Sequence, residues 1–197
     1  QRFLVAAPAF AQLDECRHLL TPARMRRADH HAVVHVGVML QRVLDFLGEA
    51  HACFVVEDAR RLLSTDGAPL ARMASSGDFL VPVVVEGATD DETRDWLMSM
   101  EFPLGGGING LAAELGIPVW TFDYLADPRI PHEPDDLAVA ERLGLRGMAA
   151  APLRAPGGEV IGTLAVSAAA PRAFEPDELD LLQGLADQAA IALTNSN

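Results

Sequence analysis

Lysine is absent from this sequence, so all 15 basic residues are arginine, and they face 28 acidic residues for a formal net charge of -13. Arginine without lysine, alongside abundant alanine, is a bias associated with high-GC bacterial genomes. A negative field of this size repels phosphate backbones and anionic lipid headgroups, which argues against direct contact with nucleic acid or a membrane surface. Cysteine is nearly absent too: only Cys16 and Cys53 occur, too far apart to suggest a disulfide framework or a multi-cysteine zinc site. A reducing cytoplasm is the expected compartment. No stretch approaches the roughly 20 apolar residues of a membrane span. The opening QRFLVAAPAFAQLDE has neither an initiator methionine nor the long apolar core of a signal peptide. The chain therefore reads as a soluble piece of a longer protein.

What is present is a hydrophobic half, 50% of 197 residues, enough for one compact domain with a substantial core and a short appendage. Residues 1–29 carry an arginine cluster (Arg24, Arg26, Arg27) after a Thr21-Pro22 break and read as a connecting segment, with the domain over 30–197. From Asp29, an N-cap type, the valines and leucines from Val33 to Leu47 predict a long helix that Gly48 would stop. HACFVVED then reads as a strand, Asp66-Gly67 as a turn and APLARMASS as a second strand paired with it. Residues 78–104 are ambiguous, since VPVVV suits a strand or a loop while DDETRDWLMSM has the acidic start of an amphipathic helix.

Later segments are plainer. PLGGGINGLAAELGIP predicts a short helix ending near Gly116, PVWTFDY a strand, and PDDLAVAERLG a helix after a proline-rich loop suited to a lid. RGMAAAPLRA and EVIGTLAVSAA are apolar strands joined by the turn PGGE. Pro176 then starts a helix whose Leu182, Leu185, Ala186, Ala189 and Leu193 form one apolar stripe. The sum is an α+β plan, an antiparallel sheet with helices packed on it.

The order of elements, with GINGLAAELGIPVWTFDYLADPR, LGLRGMAAAPLRAPGGEVIGTLAVS and RAFEPDELDLLQGLADQAAIAL, resembles the GAF domain family over about residues 30–195. The resemblance implies about six antiparallel strands, helices from both chain ends on one face, and a small-molecule pocket on the other under the loop and helix near residues 122–144. It also implies a sensory module, homodimeric through its terminal helices, that reports to an effector domain in the same parent chain. A histidine kinase or a transcriptional regulator would serve as that effector.

Several motifs admit a chemical reading. Gly105, Gly107 and Gly110 spell GxGxxG, but with no parallel-sheet pattern or acidic ribose partner they read as a tight turn into the helix at Asn109. His31 and His35 stand at i,i+4 and with His51 could ligate a metal, yet no carboxylate or cysteine stands at matching spacing. The family's haem-binding branch uses a pocket histidine, and only His132 is available, in a loop. Its bilin-binding branch needs a pocket-side cysteine, a place neither Cys16 nor Cys53 takes; Cys53 reads as a small buried hydrophobe in a strand. The branch that reduces free methionine sulfoxide needs several cysteines, and the cyclic-nucleotide pattern NKxnFxxxDE is missing.

Candidate ligand-contacting residues are therefore Trp120, Phe122, Asp123, Tyr124, Arg129, His132, Arg146 and Met148, an aromatic and charged set suited to a small planar or anionic ligand. Asp123, Asp127 and Arg129 equally suit local capping of their loop. Ala149, Ala150 and Ala151 would leave open space in the pocket. No nucleophile elbow and no paired carboxylates with a flanking histidine point to catalysis. The sequence thus predicts a non-catalytic ligand-binding sensor; the alternatives are a structural dimerisation domain with a degenerate pocket, or a haem- or metal-binding redox or gas sensor.

Overall fold

A computed structural model describes residues 36–132 and 134–194; the connecting segment 1–29, Cys16, His30, His31 and His35 lie outside the described residues. The first helix, α1 (Val36–Leu62), runs straight through the segment expected to be a strand. Ala52, Cys53, Val55, Val56 and Ala59 are buried at spacings of three and four, a helical stripe that overrides the β-branched composition of HACFVVED. Gly48 does not stop the helix but sits buried within it. The stop comes at Ser64, which adopts φ 51°. Around it Thr65 N donates to Arg60 O at 2.9 Å and Ser64 N to Arg61 O at 3.2 Å, the paired bonds of a left-handed helix cap.

Strand β1 (Ala68–Met73) pairs with β2 (Phe79–Glu86), and not with the preceding segment as expected. Helix α2 (Asp91–Met98) follows, capped by the Asp90 carboxylate, which accepts from Thr93 N at 2.7 Å. This settles residues 78–104 as a strand and an acidic-start helix, with short β3 (Phe102–Pro103) closing the segment. Helix α3 (Gly107–Leu115) ends on Gly116 at φ 63°, and β4 (Val119–Thr121) lies beyond it. After α4 (Pro134–Leu143), β5 (Gly147–Arg154) and β6 (Val160–Ala168) form the long hairpin, and α5 (Pro176–Thr194) finishes the fold.

The six strands form one antiparallel sheet in the order β3-β2-β1-β6-β5-β4, so the chain is α+β as expected. Strand alternation sorts the two faces. Ala149, Ala151, Leu153, Leu164 and Val166 join α1 and α5 in the larger core, where Leu182, Leu185, Ala186 and Ala189 dock. Met148, Ala150 and Ala165 turn to the other face and meet Ile108 and Ala112 of α3, Tyr124, Ile130 and Ala140 of α4. Of the three alanines expected at the pocket, only Ala150 lies on that face, because successive strand residues point to opposite sides.

Candidate functional site

The face opposite the terminal helices holds a cavity of about 530 Å³, walled by the sheet and by α2, α3 and α4. Its lining is mainly apolar, with Val85, Leu97, Phe102, Ile108, Val139 and Met148 contributing. A cavity of that size and character is the usual form of a small-molecule site. Its polar residues come from different elements, among them Asp66 before β1, Glu86 at the end of β2, Thr89 and Thr93 around the start of α2, Asn109 in α3, Arg142 in α4 and Ser167 near the end of β6.

Each polar group is held by its surroundings. Asn109 is only 6% exposed, and its Oδ1 accepts from the Thr163 hydroxyl at 3.0 Å, which leaves its NH₂ as the group to donate. The α3 N-terminus beside it lines the cavity through Gly106 and Gly107. The Arg142 guanidinium lies 4.8 Å above the Trp96 ring, a cation–π contact that bridges α4 to α2. Glu86 pairs with Ala68 in the β1–β2 ladder, and is buried at 5% exposure.

Of the eight candidates, Tyr124 and Met148 line the cavity, both nearly buried. Asp123 and Arg146 do not line it but pair with each other behind Tyr124: Arg146 Nε donates to Asp123 Oδ1 at 2.7 Å and its NH2 group to Oδ2. That pairing holds the Asp123 carboxyl below its ordinary range, with the Arg146 hydrogen bond as the leading cause. Arg129 folds back on Asp127, donating from Nε at 2.9 Å and from its terminal nitrogen at 2.6 Å, the local capping arrangement. The same contact lowers the Asp127 carboxyl and raises Arg129.

The remaining three lie elsewhere around the site. Trp120 packs against the core on the terminal-helix face, and Phe122 is 55% exposed. The His132 ring meets Tyr124 edge-on at a centroid distance of 4.5 Å, and neither imidazole nitrogen finds a hydrogen-bond partner among the described residues. Sequence reasoning missed Glu86, Ser167, Asn109 and Arg142. The one signal for Glu86 was a carboxylate closing the apolar run LVPVVV just before Gly87.

The donor set does not fit the pigments and redox groups weighed from the sequence. No histidine is among the described residues lining the cavity, so a haem iron would lack an axial imidazole there. Cys53, buried in α1, belongs to the core on the opposite sheet face, out of reach for a thioether to a bilin or for cysteine redox chemistry in the cavity. No group of three or more metal-ligating side chains occurs among the described residues.

The fold recurs among solved structures. The chain is 26% identical to the GAF-B domain of DevS from Mycobacterium smegmatis, over 75% of this chain and 93% of that one, with a TM-score of 0.56. Residues 122 to 287 of a methyl-accepting chemotaxis protein superpose with a TM-score of 0.63 at 20% identity, covering 81% of this chain and 95% of that one. A type II free methionine-R-sulfoxide reductase from Thermoplasma acidophilum shares the fold at 18% identity and a TM-score of 0.59, over 76% and 94% of the two chains. No curated protein sequence matches. The sequence model of the GAF domain matches residues 34–194, and the chain belongs to the GAF domain family.

Proposed function

We propose that this chain is a non-catalytic sensory domain that takes a small molecule into the cavity and passes the bound state through α1 and α5 to an effector in the same parent chain. The observation that carries this reading is the cavity itself: about 530 Å³ of mainly apolar space on the sheet face away from the terminal helices. Ligand and output thus occupy opposite faces of one sheet. Population shift through such a sheet requires only that the ligand favour one arrangement of the helices over another.

The chemotaxis protein that shares the fold belongs to a signalling system, which supports this use. The reductase that shares it bears on the enzyme alternative, and the only cysteine among the described residues, Cys53, is on the face away from the cavity. A two-component histidine kinase or a transcriptional regulator suits the output role. The acidic balance of -13 fits a cytoplasmic domain that avoids nucleic acid and membrane surfaces. No helix among the described residues is long and apolar enough to cross a membrane.

The test is native mass spectrometry of the purified chain against its denatured mass, with an absorbance spectrum, repeated on Val139→Trp, which pushes an indole into the cavity. A retained small molecule, or one captured from a metabolite mixture, that the tryptophan variant no longer holds is the expected result. Equal mass in both states and no captured compound would favour a purely structural dimerisation domain.

A further inference from the structure

Asn109 and the first turn of α3 carry hydrogen-bond donors that the protein itself does not use. Gly106, which precedes this nine-residue helix as its cap, has no side chain to offer the helix N–H groups. Gly107 N donates to Pro131 O at 2.8 Å and Gly110 N to Gly106 O at 3.0 Å, whereas no acceptor among the described residues takes the N–H of Ile108 or of Asn109. The Asn109 side chain adds to them. Its Oδ1 is held by the Thr163 hydroxyl at 3.0 Å, no described residue accepts from its NH₂, and the residue is only 6% exposed. Gly106, Gly107, Ile108 and Asn109 all line the cavity. Burying unpaired donors costs free energy that an acceptor in the cavity recovers, and a helix N-terminus favours an acceptor that carries negative charge.

The sheet beneath keeps these donors away from the acidic part of the lining. Thr163 lies opposite Ala71 of β1 and Ser167 opposite Gly67, so the Asn109 end and the Gly67 end of the cavity are separated by four residues of β6, roughly 13 Å. Both acidic residues of the lining belong to the Gly67 end: Asp66 precedes Gly67, and Glu86 pairs with Ala68. The net charge of -13 is spread over the whole molecule and is screened over about 8 Å at physiological salt, so at the Asn109 end the N–H groups in direct contact outweigh it. Apolar walls from Leu97, Phe102 and Met148 complete the enclosure.

From this arrangement we propose that the cavity binds a small carboxylic acid with an apolar body, its carboxylate accepting from the N–H groups of Ile108 and Asn109 and from the Asn109 NH₂. The inference rests on the sensory reading above and specifies its ligand class. The donors are not the arginines that the sequence offered, because Arg129 and Arg146 are tied to aspartates. Arg142, the basic residue of the described lining, is exposed and lies over Trp96 at the α2–α4 side.

Octanoate, octanol and octylamine share one chain and differ in charge, and they test it by calorimetric titration against the intact chain at physiological salt, with amide NMR spectra recorded in parallel. Octanoate is expected to bind about tenfold or more tighter than octanol, as a charge-assisted acceptor implies, with octylamine weakest. Its addition should move the Ile108 and Asn109 amide signals more than octanol does. Asn109→Asp keeps an acceptor for the Thr163 hydroxyl and sets a carboxylate where the NH₂ stood; it should weaken octanoate about tenfold or more while leaving octanol within about twofold. Should that variant not fold, the amide shifts of the wild type decide. Octylamine binding as tightly as octanoate overturns the proposal and leaves the sensory reading standing. So does octanoate binding that leaves the Ile108 and Asn109 amides unmoved. Octanoate affinity lost in Arg142→Gln but kept in Asn109→Asp overturns it too, placing the carboxylate at α4. Binding of none of the three overturns it as well, and the native mass comparison of wild type with Val139→Trp then decides separately whether the sensory reading falls.

Discussion

Asp123 lies two residues beyond β4 and reaches across to Arg146, the residue before β5, while Tyr124 N donates to Arg146 O at 2.7 Å; together these bonds set the position from which Tyr124 lines the cavity. The side chains are partly shielded, 17% exposed for Asp123 and 37% for Arg146, so the pair contributes on the order of 1 kcal/mol and not the larger value of a fully buried bridge. Because the folded Asp123 carboxyl is held below its unfolded value of about 3.9, its contribution is present above that pH and fades as pH falls through the folded value. Asp123→Asn is therefore expected to lower stability by about 1 kcal/mol at pH 7, with the gap to wild type closing below about pH 4. Urea unfolding at pH 7, 5 and 3 measures it. A gap that stays constant to pH 3 would mean the charge contributes nothing and the geometry alone matters.

At the scale of elements, the glycines of GGGING show what the sequence could and could not convey. They were read as a tight turn, and Gly105 and Gly107 do take positive φ values of 78° and 58°. Gly110 has a different reason: a Cβ there would lie 1.9 Å from Pro103 O, so β3 and α3 approach backbone to backbone. Gly110→Ala should cost about 2–3 kcal/mol through forced separation of the two, read as a lowered urea midpoint with an unchanged slope. An alanine variant as stable as wild type would mean that β3 moves away without penalty. Arg172 is the other joint between elements. It donates to Leu63 O at 2.8 Å at the end of α1, pairs with Glu178 in the first turn of α5, and lies 4.5 Å over Phe174. Arg172→Ala is expected to lose about 1–2 kcal/mol, and Arg172→Lys to recover only part, because one ammonium cannot make both contacts in the plane of the guanidinium.

The same scale explains which elements were legible. Helix α5 and strands β5 and β6 were legible because their apolar residues repeat at a period that burial on one face enforces: Leu182, Leu185, Ala186, Ala189 and Leu193 are all buried. Residues 51–58 misled because Cys53, Phe54, Val55 and Val56 are strand-type residues, and only packing of Ala52, Val56 and Ala59 onto the sheet makes them helical. The site was the least legible part. Glu86, Ser167 and Arg142 line one cavity only through the β2-β1-β6 order of the sheet and the return of α4, pairings that no local pattern encodes.

For the molecule as a whole, the question is what the terminal-helix face does. Helix α1 and helix α5 pack on each other and on the sheet, yet apolar side chains remain on their outer surface: Phe54 is 42% exposed and Ile191 is 56% exposed. Single exposed apolar residues are common on monomers, but Phe54 and Leu62 on α1 with Leu181 and Ile191 on α5, the helices proposed to carry the output, fit a twofold interface, where the same patch meets itself. Light scattering at micromolar concentration is expected to give twice the mass of the 21.0 kDa chain for wild type. Ile191→Glu would place like charges against each other across the dyad in a protein already at -13, and should return the mass to that of one chain. Its thermal midpoint extrapolated to low concentration should stay near that of wild type, since Ile191 is outside the core. A variant that remains dimeric would move the interface elsewhere. The exposed Ile117 and Phe122 beside edge strand β4, at 53% and 55%, would then be the next surface to substitute.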